Sequence, residues 1–165
     1  MKGTYFKGFL FTALAGTLLH FLYDWVPNPL TALVSGVNES VWEHMKLLFV
    51  PVFLYLAVSG ANRAAGAVSL AVGLAVIAGV YYTYTGALGF RITALDIGLY
   101  DVAAAVTFRL QRRLAHRWTL RGQQAAAWVL LTVMGLSFIV WTFYPPRVPL
   151  FRDPVTAEYG LDANP

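Results

Sequence analysis

The chain has 165 residues, of which 58% are hydrophobic and only 12% are charged, and its formal net charge is +4. A soluble domain carries about 25% charged residues, so this composition argues against a soluble protein and indicates one compact domain in a lipid bilayer. The basic residues are clustered, which indicates topology signals and excludes a nucleic-acid-binding surface. The sequence has no cysteine, which excludes disulfides, thiolate metal sites and cysteine nucleophiles.

The hydrophobic pattern predicts an all-α integral membrane bundle of five transmembrane helices at residues 1–144, with a proline-rich tail at 145–165 packed on the outer face. The first apolar run continues to Trp25, which exceeds the roughly 7–15 residues of a signal-peptide core, so we expect an uncleaved helix. Residues 30–37 are apolar but too few to span, which predicts a re-entrant segment. The predicted helices are Phe6–Tyr23, Glu39–Ser59 with a kink at Pro51, Ala64–Tyr82, Arg91–Phe108 and Gln123–Phe143.

The distribution of basic residues predicts the orientation of this bundle. With a cytoplasmic N-terminus, eight of the 12 lysines and arginines lie inside, three lie outside, and Lys46 lies within the second helix. We therefore expect a multi-pass protein of the cell membrane whose C-terminus is extracytoplasmic. The basic run from Arg112 to Arg121 is interpreted as a cytoplasmic topology signal, with binding of anionic lipid as the alternative.

Ionisable residues gather toward the outer ends of the first, second and fourth predicted helices. His20 and Asp24 are four residues apart and share a helix face, as do Glu39 and Glu43. Asp101 lies about 15 Å along the fourth helix, where a carboxylate costs about 2.5–3.5 kcal/mol and is a functional candidate. We expect these groups to converge in one pocket that opens on the extracytoplasmic side. The candidate catalytic residues are His20, Asp24, Glu43 and His44, and the candidate ligand-binding residues are Asn38, Glu39, Trp42, Lys46, Asp96, Tyr100 and Asp101.

The same residues also have structural interpretations. Ser40 and Glu43 fit a capping box at the start of the second helix, and Glu43 and Lys46 are spaced for an ion pair. A divalent metal at His20, Asp24, Glu43 and His44 is a further alternative, since these donors suit zinc, iron or manganese. However, the adjacent Glu43 and His44 lie about 100° apart on a helix, and the spacing matches no standard metal motif.

Three strings of the sequence resemble an uncharacterised family of small prokaryotic polytopic membrane proteins, a domain of unknown function. The resemblance implies a polytopic membrane fold and no particular activity. A looser likeness to sterol-isomerase-type membrane enzymes covers only His20, Asp24, Trp42 and Glu43. The strings that resemble the uncharacterised family are His20-Phe-Leu-Tyr-Asp-Trp25, then Asn38-Glu-Ser-Val-Trp-Glu-His-x-Lys-Leu47, and finally Pro145-Pro146 with Leu150-Phe-x-Asp-Pro154 and Tyr159-Gly160.

Three functions remain open from the sequence. The pocket could bind a small ligand, lipid or ion without chemistry. It could instead belong to a membrane-embedded enzyme that uses acid–base or metal-assisted chemistry on a lipid-like substrate. Alternatively, the charges could only lock the helices together or dock a partner. The sequence does not indicate whether that partner is another protein or a second copy of the chain.

Overall fold

The computed structural model describes residues 2–90 and 92–163, and within these residues the chain is all-α, with no β-strand. A π-helical turn, Thr83–Ala87, follows the fourth helix, and two 3₁₀ turns, Pro149–Phe151 and Gly160–Ala163, lie in the tail. The α-helices are α1 (Lys2–Trp25), α2 (Pro29–Ala32), α3 (Val41–Val58), α4 (Arg63–Tyr82), α5 (Thr93–Leu114) and α6 (Arg121–Phe143).

The five long predicted helices are all present, and the largest difference is at the end of α5. This helix continues to Leu114, six residues past the predicted end at Phe108, because Arg112 and Arg113 in its last turn suit the negative end of the helix dipole. The predicted start at Arg91 and the outermost residues 1, 164 and 165 lie outside the described residues. The expected re-entrant segment contains only the single helical turn of α2.

Side-chain caps fix the starts of three helices. The Asn28 side chain accepts hydrogen bonds from the backbone of Leu30 and Thr31 at the start of α2. Ser40 caps α3 by accepting from the N–H of Glu43 at 3.3 Å, and Asn62 caps α4 by accepting from Ala65 at 2.9 Å. These caps satisfy N–H groups that have no partner within the helix.

The helix α3 lies at the centre of the bundle, in contact with α1, α4 and α6, whereas α5 packs chiefly against α4 and also against α1. The fully buried Leu48, Val52 and Leu56 of α3 form the core together with Leu70 of α4 and Leu131 of α6. Gly66 and Gly73 permit the close packing of α4, since a methyl group there would overlap Leu56 or Thr107. Gly79 has no such neighbour, since nothing lies within 4 Å of a methyl group added there.

Four helical segments are long and apolar enough to cross a membrane: Thr4–Trp25, Val41–Val58, Arg63–Ala87 and Arg121–Phe143. The remaining long helix, α5, has 22 residues, which at 1.5 Å per residue is about 33 Å and matches the hydrocarbon thickness. Its two aspartates and three arginines lower its average hydropathy, which separates it from the other four.

The residues after α6 fold back over the start of α3. The buried carboxylate of Asp153 accepts a hydrogen bond from the backbone N–H of Glu39 at 3.0 Å, and also binds the N–H groups of Val155 and Thr156. The Asn38 side chain donates to the carbonyl of Gly160 at 2.9 Å. We call residues 149–160 the strap, because they tie the first turn of α3 to the end of α6.

Candidate functional site

A cavity of about 370 Å³ opens between α1, α3 and α5 at the end of the bundle that carries the strap. We call it the acidic cavity, because its lining includes three carboxylates and, among the described residues, no lysine or arginine. The ionisable side chains that line it are His20, Glu39, His44, Tyr81, Asp96, Tyr100 and Asp101. The rest of the lining is mostly apolar and includes Phe21, Leu47, Ile77 and Leu99.

Glu39 lies between the two histidines of the acidic cavity. One of its carboxylate oxygens is 3.7 Å from Nε2 of His20, and the other is 3.7 Å from Nε2 of His44. The two imidazole rings are 5.5 Å apart between centroids. The Nδ1 atom of His44 lies 3.0 Å from the carbonyl oxygen of Ser40, which orients the ring toward Glu39. These contacts place one carboxylate between two titratable groups.

The α5 side of the cavity is positioned by two tyrosines. The Tyr84 hydroxyl donates a hydrogen bond to the carboxylate of Asp96. The Tyr100 hydroxyl lies 2.9 Å from the carbonyl oxygen of Thr12 and 3.2 Å from that of Leu47, so it links α5 to α1 and α3. This position is available because Gly16 of α1 has no side chain, and a methyl group there would overlap the Tyr100 hydroxyl. Asp101 is exposed in the wall of the cavity.

A second polar group lies on the opposite side of α3 and is closed to solvent. We call Glu43, Lys46 and Thr142 the closed network, since all three are at most 2% exposed. The Lys46 ammonium is 2.5 Å from Glu43 Oε2 and donates to the Ala32 carbonyl oxygen and to Thr142 Oγ1. The Thr142 hydroxyl donates in turn to the other oxygen of Glu43 at 2.9 Å. Every hydrogen of the ammonium therefore has an acceptor, as a buried charge requires.

The capping box expected at the start of α3 forms only in part. Ser40 is the cap, but Glu43 does not bond back to it. The Ser40 N–H instead donates a hydrogen bond to the side-chain oxygen of Asn38 at 2.9 Å, and the Glu43 carboxylate accepts from the N–H of Val37 at 3.2 Å. The Glu43 carboxylate is drawn into the interior because Lys46 and Thr142 compensate its charge there.

The structure brings together some of the predicted site residues and separates others. The acidic cavity contains His20, His44, Glu39, Asp96, Tyr100 and Asp101, whereas Glu43 and Lys46 belong to the closed network. Trp42 packs against Phe138 and Phe151, with ring centroids 4.4 and 4.8 Å apart and the rings tilted by 34° and 43°. Asn38 binds the strap, and Asp24 is exposed near the end of α1.

The expected single pocket is therefore divided by α3. Glu43 is removed from the acidic cavity because it pairs with a cation three residues along its own helix. Since Glu43 and His44 point to different sides of α3, the four donors proposed for a metal do not meet at one point. In residues 2–90 and 92–163, no group of three or more histidines and carboxylates is arranged to hold a metal ion.

Sequence reasoning missed Thr142, Tyr84 and Asp153 as partners of the polar residues. Thr142 and Asp153 follow their partners by about 100 residues or more, so no local spacing signals them. Asp153 did appear in the string that resembles the uncharacterised family. Tyr84 is 12 residues before Asp96, so the two residues do not share a single turn of one helix.

Comparison with known proteins gives a family but no activity. Residues 2–161 match a family of unknown function, DUF6512. No curated protein and no solved structure matches the chain. The match confirms the resemblance to an uncharacterised family and spans all the helices of the fold. The chain, with its acidic cavity and its closed network, therefore belongs to the DUF6512 family.

Proposed function

We propose that this protein is an integral membrane protein that binds a small organic cation with an apolar body in the acidic cavity. The observation that carries the proposal is the unbalanced charge of the cavity. Three carboxylates and two imidazoles face about 370 Å³ of space, with no lysine or arginine among the described lining residues.

The cost of uncompensated carboxylates explains why a cation is the expected occupant. A carboxylate in a membrane interior is costly unless a positive group lies close to it. The one lysine in this part of α3, Lys46, is fully engaged in the closed network and cannot serve Glu39 or Asp101. A bound ammonium group would provide the missing charge, and the apolar and aromatic lining suits the rest of such a ligand.

The membrane arrangement belongs to the same proposal. Four apolar helices supply the lipid-facing surface. We expect α5 to be the fifth span, because its 22 residues suit the thickness of the bilayer and its Asp96 and Asp101 line the acidic cavity instead of facing lipid. With the basic residues of Arg109 to Arg121 on the cytoplasmic side, the N-terminus lies inside, and the strap and the acidic cavity lie on the outer side of the cell membrane.

The orientation can be tested by labelling single cysteines, since the native chain has none. Arg113→Cys should be protected from an impermeant maleimide in intact cells, and Val155→Cys should react. Val155 is preferable to the nearby Asp153, because Val155 is 73% exposed, whereas the buried Asp153 carboxylate accepts from the N–H of Glu39. Reaction of Arg113→Cys from outside would contradict the orientation.

Ligand binding can be tested with a matched pair of probes. Benzyltrimethylammonium and its carbon analogue neopentylbenzene have nearly the same shape but differ by one positive charge. We expect the detergent-solubilised protein to bind the cation at least about tenfold more tightly, which corresponds to about 1.4 kcal/mol for charge recognition. Calorimetry or ligand-observed NMR would measure the difference.

Two kinds of variant localise the binding. The double variant Glu39→Gln/Asp101→Asn should lose the preference for the cation, because it removes two of the three cavity carboxylates. Glu158→Gln is the control, since it removes an exposed carboxylate from the strap. Equal binding of both probes, or a preference that survives the double variant, would refute the proposal.

A second candidate is acid–base catalysis in the same cavity, favoured by the position of Glu39 within 3.7 Å of both His20 and His44. A carboxylate paired with an imidazole in an apolar pocket is suited to proton transfer. The test is mass spectrometry of a native lipid extract incubated with the protein. A species that changes with the native protein but not with His20→Gln/His44→Gln would support an enzyme, and an unchanged extract would support a binding protein.

A further inference from the structure

A second crevice opens at the other end of the seam between α1 and α5. It measures about 340 Å³ and lies between the first turns of α1 and the last turns of α5. Its walls carry Arg109, Arg112 and Arg113 from α5, and its floor includes Phe6 and Phe9 from α1. We call it the arginine crevice, and no residue of it contributes to the acidic cavity.

Among the residues that the structure describes, no carboxylate lines the arginine crevice to balance its positive charge. The three arginines are exposed. The ion pairs found in residues 2–90 and 92–163 involve only Glu39, Glu43, His20, His44 and Lys46. The arginines are therefore available for an anion from outside the chain.

The shape of the crevice favours an anion that carries an apolar portion. Arg109 lies three residues before Arg112 and four before Arg113, so one face of α5 presents several guanidinium groups. Guanidinium groups bind phosphate through two parallel hydrogen bonds. Ala105 lies one turn earlier on the same side of α5, opposite the exposed Phe6, and leaves space for a chain that runs along the seam.

The position along the helices suits the surface of a bilayer. Tyr5 in the arginine crevice is 15 residues before His20 in the acidic cavity, which is about 22 Å along α1 at 1.5 Å per residue. The two cavities are therefore separated by nearly the thickness of a hydrocarbon layer, about 30 Å. We propose that the arginine crevice is a binding site for an anionic phospholipid, with the phosphate on the arginines and an acyl chain along the α1–α5 seam.

A topology signal alone explains why the basic residues are on one side of the membrane, but it does not require them to line a crevice with aromatic side chains. Arg117 and Arg121 provide the comparison within the same basic run. They are also exposed, and they lie outside the crevice. A site in the crevice predicts that the two sets of arginines differ, whereas a general electrostatic effect predicts that they are equivalent.

The experiment compares two double variants that remove the same charge. Arg109→Gln/Arg112→Gln alters the crevice, and Arg117→Gln/Arg121→Gln is the control. Each purified protein is titrated with phosphatidylglycerol in mixed micelles, and the bound lipid is counted by native mass spectrometry. We expect about 25-fold weaker binding for the crevice variant, at about fivefold per arginine, and a much smaller change for the control. Arg109→Lys/Arg112→Lys should bind with intermediate affinity, since it keeps the charge without the bidentate geometry.

Two further probes define the ligand with the unaltered protein. Phosphatidylcholine should bind more weakly than phosphatidylglycerol, and inorganic phosphate should not compete at equal concentration. Equal loss in both double variants, no preference of the native protein for the anionic lipid, or full competition by inorganic phosphate would each overturn the proposal. The inference rests on the membrane arrangement proposed above. None of these outcomes depends on occupancy of the acidic cavity, so failure of the lipid site can be distinguished from failure of cation binding.

Discussion

The closed network and the acidic cavity both include residues at the start of α3, but their charges differ in burial and in compensation by groups of opposite charge. In the closed network, Glu43 and Lys46 are buried together, and Thr142 completes their hydrogen bonds. In the acidic cavity, the side chain of Glu39 is 47% exposed, and its carboxylate oxygens lie 3.7 Å from His20 and from His44. The comparison teaches that ionisable residues from one short stretch of sequence can serve different purposes on different faces of one helix.

The difference has a physical origin in the available partners. A buried pair costs desolvation free energy and is tolerated only when both members are fully hydrogen-bonded. The closed network meets that condition with groups of this chain alone. The acidic cavity does not, because no lysine or arginine is found among its described lining residues. We therefore expect substitutions in the closed network to change stability and those in the acidic cavity to change ligand binding.

The largest expected effect is that of Lys46→Met, which leaves the Glu43 carboxylate buried without a cation. Removing one member of a buried ion pair costs about 3–5 kcal/mol in the free energy of unfolding. The double variant Glu43→Gln/Lys46→Met should recover much of this loss, because neither buried charge remains. Thermal unfolding in detergent would measure both, and equal losses in the single and double variants would show that the pair is not coupled.

A smaller loss is expected for Thr142→Val, which keeps the shape but removes the hydroxyl between Lys46 and Glu43. A buried polar group that loses a hydrogen-bond partner costs about 1–3 kcal/mol. Thr132→Val is the matched control, since it makes the same change at an exposed position of α6. If the two variants have the same melting temperature, Thr142 does not stabilise the network.

The strap links the two regions, and Asp153→Ala tests this link. The substitution removes the acceptor for the N–H groups of Glu39, Val155 and Thr156. By analogy with the loss of a helix cap, we expect a destabilisation of about 1–2 kcal/mol. Cleavage after residue 149 by an added protease should also become faster, whereas the exposed Glu158→Ala should behave as the native protein does. Unchanged cleavage of Asp153→Ala would argue against a stabilising strap.

The smallest effect on stability is expected for Glu39→Gln. Partly exposed ion pairs contribute about 0–1 kcal/mol, so the melting temperature should hardly change. The same variant should nevertheless bind benzyltrimethylammonium less tightly than the native protein does. A strong loss of stability would place Glu39 in a structural network and would remove the contrast between the two regions.

The fold followed from the sequence because its signals are local. Apolar runs of transmembrane length, prolines after α1 and α6, and the asparagine before α4 predict helices and their ends without knowledge of the partners. The π-helical turn at Thr83–Ala87 and the extension of α5 through its arginines were not predicted, since packing and end effects decide them.

The site could be predicted only in part. The position of a residue along its helix predicts its depth in the membrane, but it does not predict toward which neighbouring helix the side chain points. Helical spacing correctly placed Glu43 near Lys46, but it could not show that a threonine 99 residues later would bury the pair. The proximity of Glu39 to His20 likewise depends on how α1 and α3 rotate against each other. Gly16 contributes to this orientation, because its lack of a side chain leaves space for the Tyr100 hydroxyl against α1.

The strap also has a consequence for the order in which the protein is made. Its contacts with Asn38 and Glu39 join residues that are 122 and 114 positions apart in the chain. At a synthesis rate of about 5–20 residues per second, Glu39 precedes Asp153 by roughly 6–23 s. Over this interval the Ser40 cap and the Glu43–Lys46 pair can form without later residues, since both are local to α3. In the proposed membrane arrangement, the nascent helix can thus enter the bilayer with a neutral pair, and synthesis of the strap then adds the contacts before its first turn.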